Sequence, residues 1–261
     1  MWRGSLLVTI LMAVPAAIGV LQAQTLPPPP AYTYDVVSIH RSDPAEVNVR
    51  VSEGPQGGLR TINTSALHLI AAAYKVNEYQ IADAPHWADA EHFDVMFTPD
   101  KAEATPVADA LPKEWDGFFS RNLQRLQAVL RDRFGLVLRA ETRELPIYVL
   151  TRAKGSEKLA RQPDDKPGAS IATNGDRQIR GRNATMEMLA GQLAWQLNRP
   201  VHDETHIDGH YDFKLDWIPE PGLPDGNIFT AINEQLGLRL EAGKGPVQVY
   251  VVEKIEQPSE N

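Results

Sequence analysis

Two stretches of the chain follow the same order of sequence features, and this duplication constrains the fold more than any single motif. The first runs from Leu59 to Leu150 and the second from Gln178 to Val252. Each contains a short strand pattern, a helix that opens at Asn-x-Ser/Thr, an extended strand followed by Pro, a second helix that ends in Gly-Leu, and further strand patterns. An internal repeat of this kind predicts a fold built from two similar units.

The first helix of each unit is predicted from its cap and its apolar spacing. Ser65 and Thr185 are suited to cap a helix, because a hydroxyl there accepts a hydrogen bond from a free amide of the first turn. Apolar residues then recur at i, i+3, i+4 and i+7, which predicts one buried stripe on each helix. The stripes consist of Leu67, Ile70, Ala71 and Tyr74, and of Met186, Leu189, Ala190, Leu193, Ala194 and Leu197.

Strands follow both helices. The alternating segments His92 to Phe97 and His210 to Leu215 are typical of half-buried strands, and Pro99 and Pro219 are expected to end them. Apolar residues on one face predict the second helices, which should stop at Gly135 and Gly237. These faces consist of Phe119, Leu123, Leu126, Leu130 and Phe134, and of Phe229, Ile232 and Leu236.

Two hairpins should complete the units. One would pair Leu136–Leu138 with Ile147–Leu150, and the other would pair Leu238–Leu240 with Val247–Tyr250 through a turn at Gly243-Lys244-Gly245. We therefore predict an α+β fold of two tandem repeated units, each a small, mostly antiparallel sheet packed with two helices.

The predicted organisation along the chain follows from these patterns. Residues 1–23 have a basic start, an apolar run and a small residue at Ala23, as in a secretory signal peptide, although a retained membrane anchor is the alternative. Residues 24–33 form a proline-rich spacer. The first α+β domain should cover residues 34–153, a linker residues 154–176, and the second domain residues 177–257.

The signal pattern and the composition predict the compartment of the protein and limit the classes of partner it can bind. The signal pattern predicts an exported protein, periplasmic or extracellular, with no membrane span once the signal is cleaved. The chain has no cysteine, which excludes disulfides and thiol catalysis. Its net charge of -8 argues against a nucleic-acid partner, because proteins that bind nucleic acids concentrate positive charge.

The segment from His202 to Asp212 contains the strongest candidates for chemistry. His202, His206 and Gly209 are spaced as in the zinc-protease signature, and His210 lies close by, so these histidines are weak candidates for a metal site. Asp203 stands where that signature requires Glu, and Gly209 followed by a strand pattern indicates a loop rather than a helix. A solvated acidic loop is the alternative.

No other motif in the sequence organises a catalytic site. The chain contains neither a G-x-S-x-G elbow nor an S-x-x-K motif, and it has no phosphate-binding glycine loop. We therefore assign no catalytic residue and expect no cofactor. Four tryptophans, Trp87, Trp115, Trp195 and Trp217, are candidates for lining a ligand groove, with core packing as the alternative.

Several segments resemble a known family. Tyr34 to Ile39, Arg60 to Tyr74, Leu126 to Leu150 and Arg180 to Trp217 are similar to an acidobacterial, Solibacter-type paralogous family of exported proteins, which carries the domain of unknown function 3738. This resemblance implies no activity, cofactor or catalytic residue. Ala231 to Leu238 also resembles, more distantly, the short N-terminal domains of secretins and TonB-dependent receptors, which bind partner proteins.

These observations favour a non-enzymatic function. We expect an exported tandem module that binds a protein or peptide in the cell envelope, because the scaffold is duplicated and no catalytic motif accompanies it. The alternative is a secreted hydrolase with an active site between the two halves, dependent on His202 or Asp203. A metal-dependent protein is a third hypothesis.

Overall fold

The computed structural model describes residues 31–107, 112–153, 158–163, 168–174, 177–218 and 227–260. The helices are α1 (Ala66–Tyr74), α2 (Trp87–Ala90), α3 (Pro112–Arg133), α4 (Met186–Gln196) and α5 (Ile228–Ala231), with a π turn at Ile232–Leu236. The strands are β1 (Tyr34–Arg41), β2 (Arg50–Glu53), β3 (Leu59–Ser65), β4 (Ile81–Ala82), β5 (His92–Pro99), β6 (Val137–Arg152), β7 (Ala160–Gln162), β8 (Ser170–Thr173), β9 (Gln178–Ala184), β10 (Val201–Asp203), β11 (His210–Asp216) and β12 (Leu238–Lys254).

The described strands form three four-stranded sheets. Their orders are β1-β5-β3-β2, β10-β6-β12-β4 and β7-β11-β9-β8. Strand pairing is antiparallel except where β10 joins β6 and β4 joins β12. The predicted α+β class is confirmed. The predicted signal peptide and most of the predicted spacer lie outside the described residues, as does Pro219.

The central sheet contains a long two-stranded ribbon instead of the two predicted hairpins. β6 and β12, of 16 and 17 residues, pair antiparallel with each other along their length. The hairpin prediction was wrong at Gly243-Lys244-Gly245, which lies inside β12. A Cβ on Gly245 would stand 2.8 Å from Ile147 Cδ1, so the absence of a side chain on this glycine leaves room for Ile147. Gly245 lies within a paired strand and therefore forms no turn.

The ribbon connects three apolar clusters. Leu138 and Val252, which face each other, belong to the core of the first half, whereas the facing residues Leu150 and Leu240 belong to the core of the second. Between them, odd-numbered residues form a third cluster: Ile147, Val247, Val249 and Val251. The buried side of the ribbon thus changes from even to odd residues and back, as the twist of a long ribbon allows.

The segment predicted to be a linker contributes strands to the third sheet. Within residues 154–176, β7 pairs with β11 and β8 pairs with β9. Both strands are short and largely exposed, so they lack the apolar alternation by which a strand is recognised in a sequence. The predicted domain bounds stay a prediction.

The two halves share several local features. The predicted caps are confirmed, because Ser65 Oγ accepts from the His68 amide and Thr185 Oγ1 from the Met188 amide. Asn63 and Asn183 both have positive φ at a register shift of their strands. Their amides donate to Asp94 and Asp212, at 3.0 and 2.6 Å. A duplication of one unit would explain this likeness, and it stays a prediction.

The buried side of α3 differs from its predicted stripe. Phe119 is 50% exposed, whereas Phe118 is buried. The buried side includes Asn122 and Arg125. Because these residues are polar, the spacing of apolar residues in the sequence does not reveal which side of α3 is buried. The expected glycine stops at Gly135 and Gly237 are present, both with positive φ.

Arg125 connects α3 to two other segments of the chain through an ion pair and a hydrogen bond. Its side chain is only 1% exposed and forms an ion pair with Glu103 after β5. Its Nε donates to the Thr33 carbonyl at 3.2 Å, just before β1. Arg121 donates to the second oxygen of Glu103 at 2.7 Å. Because a buried guanidinium requires a compensating charge, this cluster fixes the strand ends around α3.

The Glu103 cluster predicts a pH-dependent stability. Burial acts to raise the pKa of Glu103, but the hydrogen bonds from Arg125 and Arg121 outweigh it and hold the pKa below its usual range. Glu103→Gln should therefore lose about 3 kcal/mol at pH 7, because it leaves the buried Arg125 charge unpaired. The loss should shrink once the pH falls below the ordinary carboxyl range of about 4 and Glu103 becomes protonated in the native protein.

Urea unfolding of the wild type and the variant at pH 7 and at acid pH measures this difference. Glu46→Gln, which removes the exposed ion pair with Arg50, is the matched control and should change stability little. An equal loss for Glu103→Gln at both pH values would contradict the assignment.

Glycine substitutions test the packing of the second half. A Cβ on Gly181 of β9 would stand 2.4 Å from Phe213 Cζ, whereas a Cβ on Gly191 of α4 would meet nothing within 4 Å. Gly181→Ala should destabilise the protein by about 1–3 kcal/mol through overpacking. Gly191→Ala should stabilise it by up to about 1 kcal/mol, since alanine favours a helix. Urea midpoints of both variants provide the measurement, and equal midpoints would refute this packing.

Candidate functional site

A groove between the ends of α1 and α4 joins residues from the two halves of the chain. Its volume is about 470 Å³. We call it the α1–α4 groove, and it is lined by His68, Ala71, Ala72, Lys75, Val76, Asn77, Glu78, Trp195 and Asn198. It combines three small apolar residues and one tryptophan with five polar or charged side chains.

α4 supplies one wall of the groove. Its buried stripe faces the second core, so Trp195 and Asn198 project from the opposite side of the helix end. Trp195 is 59% exposed, which is unusual for the largest apolar side chain. The amide of Arg199 donates to the Ala194 carbonyl at 3.2 Å and ends the helix beside the groove. The wall is therefore a fixed helix end that carries an exposed aromatic ring.

α1 and the turn after it supply the other wall. His68 lies on the exposed side of α1, and its Nδ1 lies 2.9 Å from Glu78 Oε1. This contact leaves the imidazole Nε2 available to the groove. Lys75 ends α1 in the left-handed conformation, with φ of 55°, and the next residues turn back along the groove. His68 and Glu78 thus meet although they lie on different elements.

The turn after α1 is held by its own hydrogen bonds. The Asn77 backbone amide donates to Gln80 Oε1 at 3.1 Å, and Asn77 Nδ2 donates to the Tyr79 hydroxyl at 3.0 Å. Burial raises the pKa of Tyr79 above its usual value, so this hydroxyl stays neutral at physiological pH. Asn77 and Glu78, which line the groove, therefore lie in a turn that its own hydrogen bonds hold in place.

The structure does not bring the three candidate histidines together as a metal site. His202 lies in β10 against Gly245, and His206 lies in a turn with its Nδ1 2.8 Å from the Glu204 carbonyl oxygen. His210 begins β11. Throughout the described parts of the chain, no group of three or more His, Cys, Asp or Glu residues is arranged to hold a metal ion.

The segment around Asp203 has a structural explanation. Asp203 Oδ1 accepts from the Thr205 amide at 2.9 Å, and Thr205 Oγ1 accepts from the Ile207 amide at 3.2 Å. Thr205 itself is buried. These bonds form successive side-chain turns that lead from β10 to β11. Asp203 therefore shapes a loop, and neither it nor His202 lines the α1–α4 groove.

The tryptophans divide between core and groove. Trp217 is buried in the second core, and Trp87 packs on the first core with its ring edge-on to Phe93. Trp195 alone among the groove-lining residues is aromatic. The side chain of Trp115 lies outside the described residues. Of the four candidates, Trp195 is placed to contact a ligand.

No motif in the sequence singles out His68, Lys75, Glu78 or Asn198. His68 and Trp195 both lie outside the apolar stripes of their helices, and this is the signal that predicts their exposure. Their proximity could not be predicted, because it depends on how the central ribbon arranges the two halves.

Residues 67–255 match the family described as "Protein of unknown function (DUF3738)". The chain belongs to this family. The matched region starts inside α1 and ends just after β12, so it includes every residue that lines the groove. No curated protein and no solved structure matches the chain significantly.

Among the described residues, no helix has the length and apolar character needed to cross a membrane.

Proposed function

We propose that the protein is an exported module that binds a peptide segment of a partner protein in the α1–α4 groove. The exposed Trp195 beside Ala71, Ala72 and Val76 carries this proposal. Binding hot spots combine an aromatic side chain with small apolar surfaces, and polar residues surround them. The groove has this composition, and the cell envelope, periplasmic or extracellular, is the compartment that the leader pattern favours.

The polar rim of the groove suits the main chain of a peptide. The side-chain amide of Asn198 has no hydrogen-bond partner among the described residues, and it can both donate and accept. An apolar side chain of the partner would fill the space between Trp195 and Ala72, while Asn198 bonds the adjacent peptide group. Peptide recognition thus follows from the wall residues without any catalytic step.

Selection from a phage-displayed random peptide library on the full-length protein tests this function. Enriched peptides should bind Trp195→Ala about 30-fold more weakly, because truncating a hot-spot aromatic costs 2 kcal/mol or more. The matched control is Phe119→Ala, since Phe119 is an exposed aromatic residue outside the groove, and its affinity should be unchanged. Enrichment of no peptide, or equal affinities for Trp195→Ala and the wild type, would refute the proposal.

A second candidate function, hydrolysis, is favoured by the His68–Glu78 contact. A carboxylate that bonds one imidazole nitrogen orients the other as a general base. Among the residues that the structure describes, no serine, threonine or cysteine lines the groove, so His68 would have to activate a water molecule directly. This mechanism replaces the predicted dependence on His202 or Asp203.

The hydrolase hypothesis makes a separate prediction. On a panel of ester, glycan and peptide substrates, His68→Ala should lower kcat by about 100-fold or more, as expected for loss of a general base. His202→Ala should leave kcat unchanged, because His202 lies outside the groove. If the wild type turns over no substrate of the panel, or if His68→Ala retains full activity, His68 has no such role.

A further inference from the structure

A row of exposed valines leads into β2, the edge strand of the first sheet. Val47, Val49 and Val51 are 81%, 54% and 61% exposed. Because these valines are two residues apart, their side chains share one side of an extended chain. A contiguous apolar row indicates a contact surface, whereas scattered single apolar residues do not. We call residues 46–52 the valine edge.

The main chain of β2 is paired on one side only. β2 pairs with β3, and among the described strands none lies on its other side. The Gly54 amide, just after β2, donates to the Gly58 carbonyl on the β3 side at 3.0 Å. Because the direction of the backbone groups alternates along a strand, the groups of Val51 and Val49 point away from β3. They belong to exposed residues, so another strand can reach them.

The valine edge lacks the features that commonly protect an open edge strand. Proline, lysine and unbalanced charges keep such strands from pairing with other chains. Residues 46–52 contain no proline and no lysine, and their two charged residues, Glu46 and Arg50, form an ion pair with each other at 2.6 Å. An edge that is apolar, electrically balanced and unprotected is suited to pair with another strand.

The valine edge is complementary to itself in an antiparallel pair. With a twofold axis at Val49, this residue lies opposite Val49 of a second copy, and Val47 lies opposite Val51. All three valines then meet valines on the same side of the extended sheet. A twofold axis at Arg50 would instead leave two valine pairs and would place two guanidinium groups directly opposite each other. The valine spacing therefore favours the axis at Val49.

The polar side of the valine edge fits the same register. Arg50 lies opposite Asn48 of the second copy, and Glu46 lies opposite Ser52, so no like charges face each other directly. Each Arg50 is diagonal to both Arg50 and Glu46 of the second copy, and the acidic side chain thus offsets the basic one. This charge complementarity is that of the segment with itself, and it favours a second copy over an acidic or a basic partner segment.

We propose that two copies of the chain associate through the valine edge, by antiparallel pairing about a twofold axis at Val49. A twofold contact of this kind uses the same residues on both copies. The dimer goes beyond the proposed peptide binding, and it would carry two α1–α4 grooves. Three valine pairs bury less than the roughly 1,200 Å² of a standard stable interface, so the dimer should dissociate on dilution.

Sedimentation velocity of the full-length protein between about 10 µM and 1 mM tests the association, with a Kd on the order of 0.1 mM expected. Val49→Lys should weaken it about tenfold or more, because two ammonium groups would replace the central valine pair. Val36→Lys is the matched control and should behave like the wild type. Val36 is 59% exposed and lies in β1, at the opposite edge of the same sheet.

Single-cysteine variants test the register, since the chain has no cysteine of its own. Val49→Cys should cross-link to itself with a short thiol-specific reagent, and Val36→Cys should not. A mixture of Val47→Cys and Val51→Cys should cross-link more than either variant alone, because these residues lie opposite each other only across the two copies.

The proposal is wrong if the protein stays monomeric at about 1 mM, or if Val49→Lys associates like the wild type. Equal cross-linking of Val36→Cys and Val49→Cys, or of the mixture and the separate variants, would contradict the axis at Val49. Trp195→Ala should dimerise like the wild type, since Trp195 lies in the groove, so a failure of peptide binding leaves this test intact. Folding of each variant is checked by its urea midpoint.

Discussion

The pairing of β6 with β12 is the interaction on which the rest of the structure depends. Each strand begins in the apolar core of one half and ends in the core of the other. Neither core is complete without both strands, so the halves cannot form as independent hairpin-closed units. Such long-range pairing is costly in chain entropy, and it is compensated by the burial of apolar residues along the ribbon.

The α1–α4 groove is a consequence of this arrangement. The ribbon holds the halves together, and the ends of α1 and α4 then enclose a groove that neither half could form alone. The ribbon is also longer than the short strands β4 and β10 that flank it. The two outer sheets instead pack against the apolar cores of the two halves. Asp94 and Asp212, which stand out in the sequence beside aromatic residues, bond the strained backbone of Asn63 and Asn183.

Polar residues explain several differences between the predicted and the observed elements. Arg125 and Asn122 are buried on α3, and their charge or polarity hid the true face of the helix, so that Phe119 was expected where Phe118 packs. Short exposed strands such as β7 and β8 have no apolar period to reveal them. The histidines from His202 to His210 have a spacing suited to metal ligation in a helix, but a strand and a turn separate them here.

The sequence by itself determined the local structure: the hydroxyl caps of α1 and α4, the alternating strands β5 and β11, the glycine ends at Gly135 and Gly237, and the α+β class. These features depend on neighbouring residues and on periodicity, which one sequence contains. The tertiary structure decided which strands pair, because the apolar alternation of β6 and β12 satisfies a hairpin or a long ribbon equally well. It also decided that His68, Glu78 and Trp195 share a groove, since their proximity depends on contacts between residues far apart in the chain.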